Sequence, residues 1–179
     1  MRFASMRNLD ISNGEGVGVS LFVQGCDRHC FNCFNPDTWD FNGGKEWTEE
    51  AKNKFIKLID RPYINRISVL GGEPLAKQNL DEVLSLIKEI RISFPEKTIW
   101  LYTGYKFEDL INRIHYPLDS EWEDKILRQS IVKLCDVLVD GEYIDEQKDL
   151  SLKFRGSKNQ RVIDVKQSLA QNKVVLYCN

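Results

Sequence analysis

No apolar run in this 179-residue chain approaches the length needed to span a bilayer. The stretch from Met1 to Asp10 carries Arg2, Arg7 and Asp10 and lacks the apolar core of a signal peptide. Together these absences predict a cytoplasmic protein without a membrane partner. Charge excess is also small: 25 Lys and Arg against 27 Asp and Glu leave a formal net charge of −2. With no basic footprint, nucleic acid is not an expected partner. No repeat, low-complexity tract or linker divides the chain, so residues 1–179 are expected to form a single domain. The five cysteines, an odd number, do not make a disulfide framework. Three of them fall within eight residues, and there is no second cysteine motif.

What the chain does have is an alternation of strands and helices. Val17 to Val23 reads as a buried strand that runs straight into Gln24-Gly25-Cys26. Trp47 to Asp60 has a helical period, with Ala51, Phe55, Ile56 and Ile59 on one face and Thr48 as its cap. Arg66 to Leu70 is a second strand, and Asn79 to Arg91 a second helix on Leu80, Val83, Leu84 and Ile87. Lys97 to Thr103 is a third strand; Phe107 to Ile114 and Glu121 to Leu134 read as helices. Asp136 to Asp140 is a fourth strand, and Arg161 to Val165 and Lys173 to Tyr177 are candidates for a fifth and sixth.

This order predicts an α/β protein with parallel strands joined by crossover helices. A closed eight-stranded barrel needs roughly 200 residues or more, so a partial, open (βα) barrel of five to six mostly parallel strands fits better. The first four strands each end in a Gly or polar turn. Function in parallel α/β folds gathers at carboxyl strand ends. The rim is therefore expected to carry Cys26 to Cys33, Gly71 to Pro74, Thr103 to Tyr105 and Asp140 to Glu142.

The cysteine loop has the spacing Cys26-x3-Cys30-x2-Cys33. Three thiolates can take three irons of a cubane and leave the fourth open for a ligand. A zinc site made of Cys26, His29, Cys30 and Cys33 is the alternative, although zinc ligands more often come as Cys-x2-Cys pairs. Incidental thiols fit poorly, because Asp27, Arg28, His29 and Asn32 make the loop polar. Cys135 and Cys178 follow apolar residues and read as small hydrophobes.

Gly71-Gly72-Glu73-Pro74 closes the second strand. Paired glycines let backbone approach a ligand, and a side chain at Gly72 would take up that ligand's space. With the Glu73 carboxylate, the turn suits an ammonium group with its adjacent carboxylate. In isolation it is equally a plain turn. Thr103 and Asp140 offer a hydroxyl and a carboxylate for ribose or amino groups, or else cap helices. Phe31 suits stacking on a purine, or core packing. Lys153, Arg155, Lys158 and Arg161 form a basic stretch with no intervening acid, either a solvated loop or part of the productive site.

The two motifs together, Cys-x3-Cys-x2-Cys after a first strand and Gly-Gly-Glu-Pro after a second, resemble the signature of radical S-adenosylmethionine (SAM) enzymes. Three further blocks resemble the activating proteins of anaerobic ribonucleotide reductases. They are Asp10 to Ser20, Cys33 to Phe41, and the tail through Asp149-Leu-Ser-Leu-Lys-Phe-Arg-Gly-Ser-Lys-Asn-Gln-Arg161. Trp100 to Tyr105 resembles their third strand.

The resemblance implies a 4Fe–4S cluster on Cys26, Cys30 and Cys33, and SAM as second cofactor. It implies that Gly71, Gly72, Glu73 and Pro74 hold the SAM amino end. Phe31, Asn32, Phe34, Thr103 and Asp140 would be further cofactor contacts. The implied reaction cleaves SAM to a 5′-deoxyadenosyl radical, which takes a hydrogen from a glycine on the large reductase subunit. An external electron donor such as a flavodoxin is implied too. Activation of pyruvate formate-lyase, nucleoside modification, or a non-catalytic zinc module are the competing expectations.

Overall fold

The computed structural model describes residues 1–112 and 121–178. Eight strands form one sheet. In chain order the elements are β1 (Arg2–Asp10), β2 (Gly18–Val23), β3 (Lys45–Glu46), α1 (Glu49–Ile59), β4 (Arg66–Gly71), α2 (Leu80–Ser93) and β5 (Thr98–Tyr102). They continue with α3 (Phe107–Ile111), α4 (Trp122–Leu134), β6 (Val137–Asp140), β7 (Arg161–Asp164), α5 (Val165–Gln171) and β8 (Leu176–Cys178). The spatial order is β3-β1-β2-β4-β5-β6-β7-β8. Arg113 and Ile114, the expected end of the third helix, lie outside the described residues.

The centre of the sheet is parallel. Gly18 to Val23 pair with Arg66 to Gly71, β4 continues onto β5 from Arg66 opposite Thr98, and Trp100 faces Val137. These are the first four expected strands, and their crossovers carry α1, α2, and α3 with α4. The flanks differ from expectation. β7 and β8 run antiparallel, with Asp140 opposite Arg161 and Val162 opposite Cys178. No α-helix stands between β6 and β7, only a loop with a short 3-10 turn at Asp145–Gln147, and β7 returns antiparallel. On the other side β1 pairs antiparallel with β2 and β3, which brings the strand count above the expected five to six.

Side chains alternate across each strand, and the alternation sorts the two faces. Val19, Leu21, Val23, Ile67, Val69, Ile99, Leu101 and Leu138 point to one face and pack against Phe55, Ile59, Val83, Ile87, Ile90, Ile131 and Val132 of the helices. Each fully buried Leu, Ile or Val there contributes about 1.5–3 kcal/mol. Thr48 caps α1 as expected, its hydroxyl accepting from the Ala51 N–H at 3.2 Å. The opposite face carries Ser20, Phe22, Ser68, Leu70, Trp100 and Tyr102. Trp100, Val137, Val139 and Val162 form a smaller apolar cluster there. It is this helix-free face that holds the cleft described next. No helix among the described residues is long and apolar enough to cross a membrane.

Candidate active site

At the carboxyl ends of β2, β4, β5 and β6 the helix-free face opens into a cleft of 530 Å³. Cys26, Cys30 and Cys33 line it, together with Phe34, Gly71, Gly72, Glu73 and Thr103. The cysteine loop is tied down by its own backbone. Gly25 and Cys26 donate to the carbonyls of Thr38 and Trp39 at 2.8 and 3.0 Å, and Gln24 Nε2 donates to those of Asp37 and Asp40. Left-handed backbone at His29 (φ 48°) and Asn32 (φ 53°) folds the loop tightly between the cysteines. The Asn35 N–H donates to Cys33 Sγ at 3.4 Å. Burial pushes the Cys26 thiol up to about 11, with the charges of Glu73 and Asp27 adding to the rise against opposing backbone N–H groups. Cys30 is raised as well, first by burial.

The Gly-Gly-Glu-Pro turn meets this loop directly. Glu73 donates its N–H to the Gly25 carbonyl at 2.8 Å, and Gly72 donates to Val23 at 3.0 Å. A Cβ on Gly72 would stand 2.4 Å from the Gly25 carbonyl oxygen and 3.0 Å from that of Thr38. Its smallness thus serves the fit of turn to cysteine loop. The Glu73 carboxylate points inward. It accepts from Leu75 N–H at 2.9 Å, Thr103 Oγ1 at 2.8 Å and Gly104 N–H at 2.8 Å. Burial raises the Glu73 pKa, and those hydrogen bonds and the Arg28 charge only partly offset the rise.

Thr103 is therefore already partnered through Glu73. Asp140 lies outside the residues lining this cleft: it accepts the Phe107 N–H at the start of α3 at 2.8 Å and the Arg161 Nε at 3.0 Å. From the neighbouring strand it thus satisfies the first N–H of α3, whose N-cap residue is Lys106, and pairs with Arg161. Arg161 also bridges to Glu108 at 2.7 Å and is not among the residues lining this cleft. Phe31 is 73% exposed, which removes core packing as its role. Asn32 donates to Asp145 at 2.9 Å on the surface, and Pro74 is buried behind the turn. Sequence reasoning passed over Tyr102, Trp39 and Arg28, which also line the cleft. The Tyr102 hydroxyl and Trp39 Nε1 are buried with no hydrogen-bond partner among the described residues. Each had a signal of position alone: Trp39 sits in the block after Cys33, Tyr102 in the Trp100 to Tyr105 block and Arg28 in the cysteine loop.

Residues 12–163 match a family described as a 4Fe-4S single cluster domain. An anaerobic ribonucleoside-triphosphate reductase-activating protein of Salmonella typhimurium (strain LT2) is 37% identical over 164 residues, covering 90% of this chain and 97% of that one. The chain belongs to this family of activating proteins. The protein of the same name in Escherichia coli (strain K12) is also 37% identical, with the same coverage. That of Enterobacteria phage T4 is 35% identical over 90% of this chain and 93% of its own. The donor set fits a cluster better than a single ion. His29 is turned onto the Trp39 ring, 4.7 Å between centroids. The one side chain that would complete a Cys3His zinc site is thus engaged with an aromatic ring. Cys135 is fully buried and Cys178 packs against the Trp100 cluster, so both behave as small hydrophobes.

Proposed function

We propose that this chain activates an anaerobic ribonucleotide reductase by radical SAM chemistry in the cleft. The observation that carries the reading is that three thiols of one loop and the Gly71-Gly72-Glu73 backbone line the same cavity. Cys26, Cys30 and Cys33 hold the 4Fe–4S cluster, and the Gly71 to Pro74 turn receives the amino end of SAM. Phe31, Asn32 and Phe34 flank the cluster. Thr103 and Asp140 act through their neighbours, Thr103 by fixing Glu73 and Asp140 by fixing α3 and Arg161. When bound, the cluster supplies the electron and the open iron at which SAM is cleaved to methionine and the 5′-deoxyadenosyl radical that takes a hydrogen from a reductase glycine.

The residues of the chain position and shield. The hydrogen bond from Glu73 N–H to Gly25 locks the SAM turn to the cluster loop. Phe22, Leu70, Val139 and Phe154 give the cleft apolar walls that help exclude water. The open side faces the glycine-bearing segment of the large reductase subunit. We read the parallel centre of the sheet as the partial (βα) barrel of the radical SAM type, and residues 1–179 as its one domain. The setting is cytoplasmic, with an external electron donor of the flavodoxin class.

The test is anaerobic reconstitution, then assays for 5′-deoxyadenosine and for a glycyl radical on the reductase. Wild type is expected to give both. Cys26→Ala, Cys30→Ala and Cys33→Ala are each expected to give neither, while Cys135→Ala and Cys178→Ala retain them. Full SAM cleavage by any of the first three variants would remove the cluster assignment.

A further inference from the structure

Several arginines face the cleft, and all but one are spoken for. Arg7 lies 3.6 Å from Asp10, and Arg28 pairs with Glu142 at 2.7 Å and stacks over Tyr105. Arg155 also lines the cleft. Among the described residues it makes no ion pair or hydrogen bond, and its Nε is buried without a partner. The carboxylates lining the cleft are equally committed. Glu73 is bound by Leu75, Thr103 and Gly104, Glu142 by Arg28, and Asp149 by Ser151 and Lys158. A half-buried guanidinium with no counter-charge is costly unless a ligand brings one.

The loop that carries Arg155 is built rather than loose. Phe154 has left-handed backbone (φ 62°), a strained conformation for a bulky residue. It is held there by its edge contact with Trp100, 5.1 Å between centroids. Gln160 Oε1 accepts from the N–H groups of Gly156 and Ser157 at 3.0 and 3.2 Å, and Gln160 Nε2 donates to the Gly141 carbonyl at 3.0 Å. At Gly156 a Cβ would stand 2.7 Å from the Phe34 ring, so the loop lies flush against the residue after Cys33. Strain at Phe154 and closeness at Gly156 therefore bracket Arg155 and hold it on the cysteine side of the cleft.

We infer that Arg155 receives the carboxylate of the methionine end of SAM, an inference that rests on the proposed function. That carboxylate is the single anionic group SAM carries. The planar guanidinium fork matches it in two parallel hydrogen bonds. The SAM turn then holds the amino group, and the C-terminal loop holds the acid. Arg155 is a binding residue supplied by a part of the chain far from both sequence motifs.

The test is equilibrium binding to the reconstituted holoprotein, with iron content and melting temperature measured alongside. Two ligands are compared, SAM and decarboxylated SAM, on wild type, Arg155→Met and Arg155→Lys. Arg155→Met is expected to raise the Kd for SAM by about 10- to 100-fold, the size of one lost charge-assisted contact, with iron unchanged. Arg155→Lys keeps the charge without the fork and is expected to fall between. Decarboxylated SAM is expected to bind wild type and both variants alike. Unchanged SAM binding in a folded, iron-replete variant would overturn the inference. Equal weakening of both ligands would also overturn it. If Arg155→Met does not fold, the same comparison on Arg155→Lys decides. A wild-type holoprotein that binds no SAM would remove the proposed function itself, a result distinct from failure of Arg155 alone.

Discussion

Glu73 is 1% exposed, and both of its carboxylate oxygens are engaged by the end of β5 or by its own turn. Its backbone N–H, not its side chain, faces the cysteine loop. The residue therefore works as an internal brace: it fixes Thr103 and Gly104 from one side and Gly25 from the other. Glu73→Gln keeps the shape but replaces one acceptor oxygen with an N–H₂ donor. One of the three donors then loses its acceptor, at a cost of about 1–3 kcal/mol. We expect a lowered melting temperature and weaker SAM binding with the three cysteines intact. A melting temperature equal to wild type would show the brace to be dispensable. The motif itself was legible in the sequence; the direction of its carboxylate was not. A Glu after paired glycines looks like a ligand group until the neighbouring strand end is known, and Thr103 lies 30 residues away.

At the scale of elements, two loops that are distant in sequence are fitted to each other with no room to spare. Gly72→Ala puts a Cβ 2.4 Å from the Gly25 carbonyl oxygen, and that backbone cannot swing aside as a side-chain tip would. The displaced residue adjoins Cys26. We therefore expect Gly72→Ala to lower iron retention along with SAM affinity, measured by iron and sulfide analysis after gel filtration. Full iron with weakened SAM binding would instead mean that the glycine serves the ligand alone. The parallel strands were readable because β2 and β4 are buried along nearly their whole length and are mostly apolar, Val19, Leu21, Phe22 and Val23 in one and Ile67, Val69 and Leu70 in the other. β1 was missed for the opposite reason. In Arg-Phe-Ala-Ser-Met-Arg-Asn-Leu-Asp only Phe3 and Asp10 are buried, so neither period nor run marks it. The antiparallel turn of β7 was missed because its strand looks like the others. What reverses it is a connection after β6 that carries no α-helix and is tied back to Gly141 and Glu142 by side-chain hydrogen bonds from Gln160 and Asn159.

Across the whole molecule the sheet has a chemical end and a structural end. The cysteines stand at the carboxyl ends of the parallel strands. At the amino ends a buried polar knot fills the helix-free face. Arg66 is fully buried and donates through Nη2 to the Asp10 carbonyl at 2.6 Å, and through Nη1 to Asn13 and Ser68. Its guanidinium lies 3.6 Å from the Asp10 carboxylate. Gly14 and Gly18 leave it the room, since a Cβ on either would stand within 2.8 Å of its side chain. Sequence pattern gives little hint of this, because an Arg opening a strand is ordinarily a solvated one. Burial alone would raise the Asp10 pKa, yet hydrogen bonds from Ser20, Asn13 and Ser12 outweigh it and hold the carboxyl down at about 2. A carboxyl depressed in the folded state stabilises the fold above its ordinary value of 3.8 and loses that contribution as pH falls toward about 2. Asp10→Ala leaves Arg66 buried without its counter-charge and is expected to cost about 3–5 kcal/mol, read as a shift in urea midpoint. Asp10→Asn removes the titration, so its stability should fall less steeply than wild type between pH 4 and pH 2. An acid-labile cluster would be lost from both proteins, so the difference between their two curves isolates Asp10. Parallel curves would mean that the knot holds its shape whether or not Asp10 is ionised.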